Sequence, residues 1–156
     1  MSLKLAKPKP DDRYVRMYFV FANEYKVEAR AEDEADDDCG WIEFWADDAK
    51  ACKESLRRVA GRLYTLTERR EKRTKELTDE KAVEELNEYN RLLVEGLAHR
   101  TKAWSLIDSE GEKVDAPLTF ENAKAVFGDE DHNLREVIQE FLRDRVNFPL
   151  RASKNS

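Results

Sequence analysis

The chain has 156 residues, 40% of them charged, and a formal net charge of −6. This length suits a single domain with its own core, and five Gly and four Pro are too few for a turn-rich all-β fold. The acidic balance disfavours general nucleic-acid binding, which needs a basic face to neutralise phosphates, and no apolar run reaches the roughly 18 residues of a membrane-spanning helix.

The N-terminal third contains three short stretches in which apolar and polar residues alternate, and this period predicts β-strands. The predicted strands are 14–21, 25–30 and 40–46, the first two joined as a hairpin, and residues 1–13 precede them as a flexible arm. The apolar face consists of Val15, Met17, Phe19, Phe21, Ile42, Phe44 and Ala46. The other face consists of Tyr14, Arg16, Tyr18, Val20, Trp41, Glu43 and Trp45.

An acidic run occupies residues 31–39, between the second and third predicted strands. Like charges at this density repel one another, so the run is expected to form an exposed, solvated loop. Its carboxylates could hold a hard cation, but the spacing and the glycine of an EF-hand loop are missing. The loop could also attract a basic partner through its electric field.

A helical period of apolar residues begins at residue 47 and predicts a first helix as far as Leu66. Asp47 or Asp48 is expected to cap it. Its apolar stripe consists of Cys52, Leu56, Val59, Ala60 and Leu63. Residues 67–76 are almost all charged, and two interpretations stay open: they continue the helix into solvent, or they form a link.

A second helix is predicted to begin at Thr78 and Asp79, which form a capping signal, and to end near Trp104. Its apolar stripe consists of Val83, Leu86, Tyr89, Leu93 and Leu97. Two helices with a short polar connection most simply pack as an antiparallel hairpin, in which each stripe is buried against the other.

The last third begins with a polar turn at 108–112 that contains Gly111. Thr119 is expected to cap a short helix, and Gly128 is expected to end it. Trp104, just ahead of the turn, is expected to join the core between the hairpin and the C-terminal helices.

The final helix has a regular apolar pattern, and Asp131 or Asn133 is expected to cap it. Its apolar residues are Leu134, Val137, Ile138, Phe141 and Leu142. Pro149 prevents its continuation beyond Phe148, and residues 149–156 form a basic tail.

Together these elements predict an α+β domain that is mostly α, with a small N-terminal antiparallel sheet packed on a helical hairpin and on C-terminal helices. The single domain spans 14–148. Its parts are the sheet at 14–46, the hairpin at 47–104 and the C-terminal helices at 118–148.

Several motifs follow one another in a particular order between residues 40 and 155. A strand at 42–45 leads directly into a helix at 49–63. A second helical motif, at 92–97, continues through Trp104 to Asp108 and Gly111. The order is completed by a helix start at 117–122 and by the terminal pairs Asn147-Phe148 and Lys154-Asn155.

This order and spacing resembles the tail assembly chaperones of long-tailed bacteriophages and prophages. The resemblance implies a non-catalytic protein of the host bacterial cytoplasm that is absent from the mature virion. Such proteins bind the tape measure protein and tail tube subunits and keep them soluble until the tube polymerises. We expect no cofactor, no nucleic acid and no membrane as partners, whereas an idle apolar patch could pair with itself in a homo-oligomer.

Trp41 and Trp45 share a strand face with Glu43, so that face is expected to be partly wet. Two interpretations stay open for the two rings. Either the hairpin partly covers them, or they form a partner-binding surface, since exposed aromatic residues are frequent binding hot spots. The predicted partner-binding residues are Trp41, Trp45, Phe44, Tyr18, Asp36, Asp37 and Asp38.

Neither catalysis nor metal binding is expected, so the chain is predicted not to be an enzyme. His99 and His132 are the only histidines, and neither has a partner at a recognisable ligand spacing. Cys39 and Cys52 have no nearby histidine that would activate a thiolate. They are interpreted as reduced, small apolar residues at the edge of the core.

A second hypothesis is an acidic inhibitor or DNA mimic that blocks a nucleic-acid-binding enzyme. Such a protein would carry carboxylates at phosphate-like intervals over one face. Here many acids lie in one run and others alternate with bases along helices, which weakens the hypothesis. A mimic should lose its partner steeply with added salt, whereas a protein that binds by apolar contact should not.

Overall fold

The computed structural model describes residues 13–144 and the backbone of residues 151–152. The predicted fold class is confirmed: the fold is α+β and mostly helical, with an antiparallel sheet built largely from N-terminal residues. The predicted flexible arm, apart from Arg13, and most of the predicted basic tail lie outside the described residues.

The sheet has the strand order β2-β1-β3-β4, and each of these neighbouring pairs is antiparallel. The strands are β1 (Arg13–Phe21), β2 (Val27–Arg30), β3 (Gly40–Trp45) and β4 (Thr101–Ser105), and the short β5 (Arg151–Ala152) pairs with the start of β1. The predicted hairpin of the first two strands is confirmed. Because β5 lies within the predicted tail, part of that tail is a strand.

In the described part of the chain, four α-helices accompany the sheet: α1 (Lys53–Glu71), α2 (Asp79–Arg100), α3 (Phe120–Gly128) and α4 (Leu134–Arg143). The first two form the predicted antiparallel hairpin. Arg62 of α1 lies 3.8 Å from Glu95 of α2. Nearer the connection, Arg73 pairs with Glu85. Residues 72–78 are not helical. The first half of the charged stretch, 67–71, therefore continues α1 to Glu71, and the second half, 72–76, belongs to a link.

Side-chain caps fix two of the helix starts as predicted. Thr78 and Thr119 each accept a hydrogen bond from the backbone N–H three residues on, at 3.3 and 3.1 Å. Asn133 precedes α4, but its Oδ1 accepts a hydrogen bond from the backbone N–H of Val27 at 2.6 Å. This bond joins the start of α4 to β2, so Asn133 positions the helix on the sheet.

The core lies between the inner face of the sheet and helices α2, α3 and α4. It contains the alternate residues of β1 and β3 that were predicted to point inwards, of which Met17, Ile42 and Phe44 are fully buried. Gly40 is required by close packing, because a Cβ atom there would lie 2.5 Å from the Phe19 ring.

The helix α1 begins only after Cys52, so the predicted cap by Asp47 or Asp48 is wrong. Cys52 is the N-cap residue, and its thiol donates to the backbone oxygen of Ala46 at 3.3 Å. Asp48 instead pairs with Arg13 at 3.1 Å. Tight turns lead the chain away from β3 over these residues, so helical backbone cannot begin earlier.

The helix α2 ends at Arg100, so the prediction that it continues to Trp104 is wrong. The next residues form β4, in which Trp104 lies opposite Ile42 of β3. Pairing with β3 satisfies the backbone of this segment and outweighs the helical preference of Lys102 and Ala103. Trp104 still packs against the core, as predicted.

The C-terminal part of the chain follows the predicted order of one turn and two helices. Gly111 has a φ of +82° in the turn, a conformation that favours glycine. α3 ends at Gly128, as predicted. α4 ends at Arg143, short of the predicted limit at Phe148, and residues 145–150 lie outside the described part.

Candidate binding surfaces

The outer face of the sheet, which points away from the helices, gathers most of the aromatic residues that the sequence singled out. It consists of Tyr14, Arg16, Tyr18, Trp41, Glu43, Trp45 and Lys102. Its four aromatic rings are half-buried. Trp41, Trp45 and Tyr18, three of the predicted partner-binding residues, therefore share one surface.

A buried carboxylate organises this outer face. Glu43 is only 3% exposed. Arg16 donates to its Oε2 from Nε at 3.0 Å and from Nη2 at 2.8 Å, and Lys102 donates to its Oε1 at 3.3 Å. Two cations thus compensate one buried anion, and such a group is stable only while its partners stay in place.

The same two cations lie over the aromatic rings. The guanidinium of Arg16 is 4.1 Å from the centroid of the Trp41 ring. The ammonium of Lys102 is 4.6 Å from the centroid of Tyr14 and 5.5 Å from that of Trp45. Because cation–π contacts already occupy these ring faces, only the remaining ring surface is available to a partner.

The other predicted partner-binding residues lie elsewhere. Phe44 is 0% exposed and packs against Phe127 in the core, so it is not available to a partner. It alternates with the two tryptophans on β3 and therefore points inwards. Asp36, Asp37 and Asp38 are exposed in the loop before β3, where Asp36 Oδ1 accepts a hydrogen bond from the backbone N–H of Asp38 at 2.9 Å.

An apolar groove between α1, α2 and α4 is a second candidate surface, which the sequence prediction missed. Its volume is about 650 Å³. α1 contributes leucine and valine side chains, α2 contributes most of the floor, and α4 contributes one rim. The lining residues are Leu56, Val59, Leu63, Tyr89, Leu92, Leu93, Gly96, Leu97, Arg100, Gln139, Leu142 and Arg143.

An exposed apolar stripe leads along α2 into this groove. The stripe consists of Val83, Leu86 and Tyr89, which are 55%, 58% and 37% exposed. Their spacing of three residues places them on one side of the helix. Tyr89 also lines the groove, so the stripe and the groove form one continuous surface.

The stripe was predicted to be buried within the hairpin, and this is wrong for all three residues. α1 contacts α2 beside the stripe and leaves Val83 and Leu86 more than half exposed. The contact lies near Gly96, about two helical turns beyond Tyr89, where a Cβ atom would lie 3.6 Å from Val59. The α2 residues that belong to the main core, Val94, Leu97 and Ala98, all lie in its C-terminal half. A signal was present in the sequence, because the charged stretch at 67–76 offers the stripe no apolar partner.

Two arginines give one end of the groove a positive charge. Arg100 donates from Nε to the backbone oxygen of Trp45 at 2.6 Å, and burial lowers its pKa from the ordinary value. Arg143 on α4 is exposed and donates from Nε to the backbone oxygen of Gln139 at 3.3 Å. A partner with an acidic group near its apolar surface would suit this end.

Both histidines and the buried Cys52 contact neighbouring groups of the fold. His99 stacks on Phe120 with ring centroids 4.4 Å apart, and burial lowers its pKa. His132 Nδ1 accepts a hydrogen bond from the backbone N–H of Leu134 at 3.3 Å. Burial raises the pKa of the Cys52 thiol.

Among residues 13–144 and 151–152, no group of three His, Cys, Asp or Glu side chains could hold a metal ion, and no helix is long and apolar enough to cross a membrane.

Comparison of the chain with protein-family models, with curated proteins and with solved structures gives no match. The outer face and the apolar groove with its stripe are therefore the basis for a functional proposal.

Proposed function

We propose that this protein is a phage tail assembly chaperone, a non-catalytic protein that binds the tape measure protein, the tail tube subunits or both. By covering apolar segments of these partners, it would keep them soluble in the host cytoplasm until the tail tube polymerises. The observation that carries this proposal is the uncovered apolar stripe on α2, which continues into the groove between α1, α2 and α4.

An amphipathic helix is the ligand that this surface fits best. Helices bind in apolar grooves through residues that recur every three or four positions. The surface follows α2 from Val83 to Arg100, which is about 26 Å at a rise of roughly 1.5 Å per residue. This length accommodates several turns of a partner helix. Long helical segments are the part of a tape measure protein that such a chaperone is expected to hold.

Charged side chains on another side of α2 suit a reversible complex. Arg91 bridges Glu88 at 3.8 Å and Glu95 at 2.8 Å on the surface of α2. The exposed Arg91–Glu88 pair contributes little to stability, but exposed charges keep the unbound protein soluble. The partner would then be held mainly by apolar contact over a limited area, from which polymerising subunits can displace it.

The outer face of the sheet is the second contact in this proposal. Tyrosine and tryptophan are common in binding hot spots, and Trp41, Trp45 and Tyr18 lie together here. Arg16 and Lys102 already occupy part of the ring surface. We therefore expect substitutions on this face to weaken partner binding less than substitutions in the apolar stripe.

Co-expression with the tape measure protein of the same genome tests the proposal. The fraction of tape measure protein that is soluble and that co-purifies in high salt is measured for the wild-type chain and for the Leu86→Asp variant. We expect the wild-type chain to hold the partner in solution and Leu86→Asp to release it, because a carboxylate in the stripe would be desolvated by the bound helix.

The matched control is Tyr64→Asp, since Tyr64 is 66% exposed on α1 and does not line the groove. It should behave like the wild-type chain. If the partner stays insoluble with every variant, the chaperone proposal is wrong. If a partner binds but dissociates steeply with added salt, an acidic inhibitor or DNA mimic is the better description.

A further inference from the structure

The apolar stripe and the apolar groove occupy successive stretches of the same helix. The stripe projects from the N-terminal half of α2, whereas the groove is sunk beside its C-terminal half. A projection and a recess that follow each other on one helix can pair with the same features of a second copy turned by 180°. Each copy then inserts its stripe into the groove of the other.

The charges along this surface favour the same antiparallel arrangement. Asp79, exposed at the start of α2, projects from the same side of the helix as Leu86. The charged residues that line the groove, Arg100 and Arg143, are both basic. Antiparallel pairing places the acidic end of one α2 against the basic end of the other, whereas parallel pairing would place like charges together.

These two constraints specify a register. If Asp79 faces Arg100 of the second copy, the two-fold axis passes between Tyr89 and Asn90. Leu86 then lies opposite Leu93, a groove residue.

We infer that a second copy of this chain covers the groove, forming a symmetric dimer through antiparallel α2 helices. This inference goes beyond the proposed function, because the dimer forms from the chain alone and needs no phage partner. The dimer would keep the apolar surface away from water until a partner helix competes for it.

Sedimentation of the purified full-length chain over a range of concentrations tests the dimer. We expect a dimer for the wild-type chain and a dissociation constant that rises at least about tenfold, or about 1.4 kcal/mol, in Leu86→Asp. Tyr64→Asp should leave the dimer unchanged. A wild-type chain that stays monomeric at the highest concentration, or a Leu86→Asp variant that stays dimeric, would overturn the inference.

A charge exchange and a cross-link test the register separately. Asp79→Arg and Arg143→Asp should each weaken the dimer, because Asp79 of one copy lies against the basic groove residues of the other, of which Arg143 is exposed. The double variant should regain affinity because opposite charges face each other again. Tyr89→Cys should form an intermolecular disulfide, while Tyr64→Cys should not; Cys39 and Cys52 are buried and do not interfere. Absence of both the charge rescue and the disulfide contradicts the antiparallel pairing.

The same experiments distinguish this inference from the proposed function. Sedimentation and cross-linking use the chain alone, whereas the chaperone test measures the solubility of a tape measure protein. If the chain is monomeric and still holds the tape measure protein in solution, the dimer inference is wrong and the chaperone proposal stands. If the chain dimerises but binds no phage partner, the chaperone proposal is wrong and the dimer inference stands.

Discussion

The outer face of the sheet and the apolar stripe of the hairpin both place large side chains at the surface, but their surroundings differ. On the outer face, Trp41 and Trp45 contact the cations that neutralise the buried Glu43. On the stripe, Val83 and Leu86 are more than half exposed. An aromatic surface residue is therefore available for binding only to the extent that its neighbours leave it uncovered.

The largest effect is expected from removing the carboxylate of the outer face. Glu43→Ala leaves Arg16 and Lys102 partly buried without their counter-charge, and breaking a buried ion pair in this way costs about 3–5 kcal/mol. Chemical denaturation measures the loss in the free energy of unfolding.

Glu88→Ala is the control for that substitution, because its pair with Arg91 is exposed and its loss should cost at most about 1 kcal/mol. If Glu43→Ala is as mild as the control, the carboxylate does not organise the outer face.

A smaller contrast is expected between two glycines, one in the sheet and one in the hairpin. Gly40→Ala places a Cβ atom against the Phe19 ring, and overpacking of this kind costs about 1–3 kcal/mol. Gly61→Ala in α1 meets no atom within 4 Å and should stabilise the protein by about 0.5–1 kcal/mol. Thermal unfolding of both variants measures the difference, and equal signs would contradict the packing of Phe19 on Gly40.

The sheet and most of the helices could be predicted from the sequence because their periods are local. Alternation in 14–21 and 40–46 separates the inner from the outer face, and the apolar spacing of α4 shows which side is buried. β4 could not be predicted in this way, since Thr101–Ser105 becomes a strand only through its pairing with β3, far away in the sequence.

The candidate site was predicted only in part for a related reason. The neighbours of Trp41 and Trp45 along β3 follow from alternation, but the position of Lys102 over the rings depends on β4. The groove depends on how α1, α2 and α4 are placed around one another, and no local pattern contains that information. Phe44 was the avoidable error, since alternation already assigned it to the inner face.

A pH effect is expected where the hairpin meets α3. Burial lowers the pKa of His99 below its ordinary value of 6.5, with Arg58 and Lys124 lowering it further and Glu95 opposing the shift. As the pH falls below 6.5, the unfolded chain takes up a proton at His99 more readily than the folded chain does. The stability that the neutral imidazole contributes is therefore present above pH 6.5 and is lost as the pH falls through the lowered pKa of the folded state.

Thermal unfolding of the wild-type chain and of His99→Gln between about pH 7.5 and about pH 5 measures this contribution. Wild-type stability should fall more over this interval than that of His99→Gln, in which no imidazole is present to titrate. Parallel pH profiles of the two proteins would show that His99 is protonated equally well in the folded and unfolded states.

The smallest effect on stability is expected at the stripe, and this is where the two surfaces differ most clearly. Leu86 is 58% exposed, so Leu86→Asp should change the free energy of unfolding by no more than about 0.5 kcal/mol, as for most surface substitutions. Unfolding is measured at a concentration low enough to keep the chain monomeric, because a dimer would add its own stabilisation. A large loss of stability in the monomer would mean that the stripe packs within its own molecule. An unchanged stability, with partner binding or pairing lost, would mean that Leu86 serves contacts with another chain.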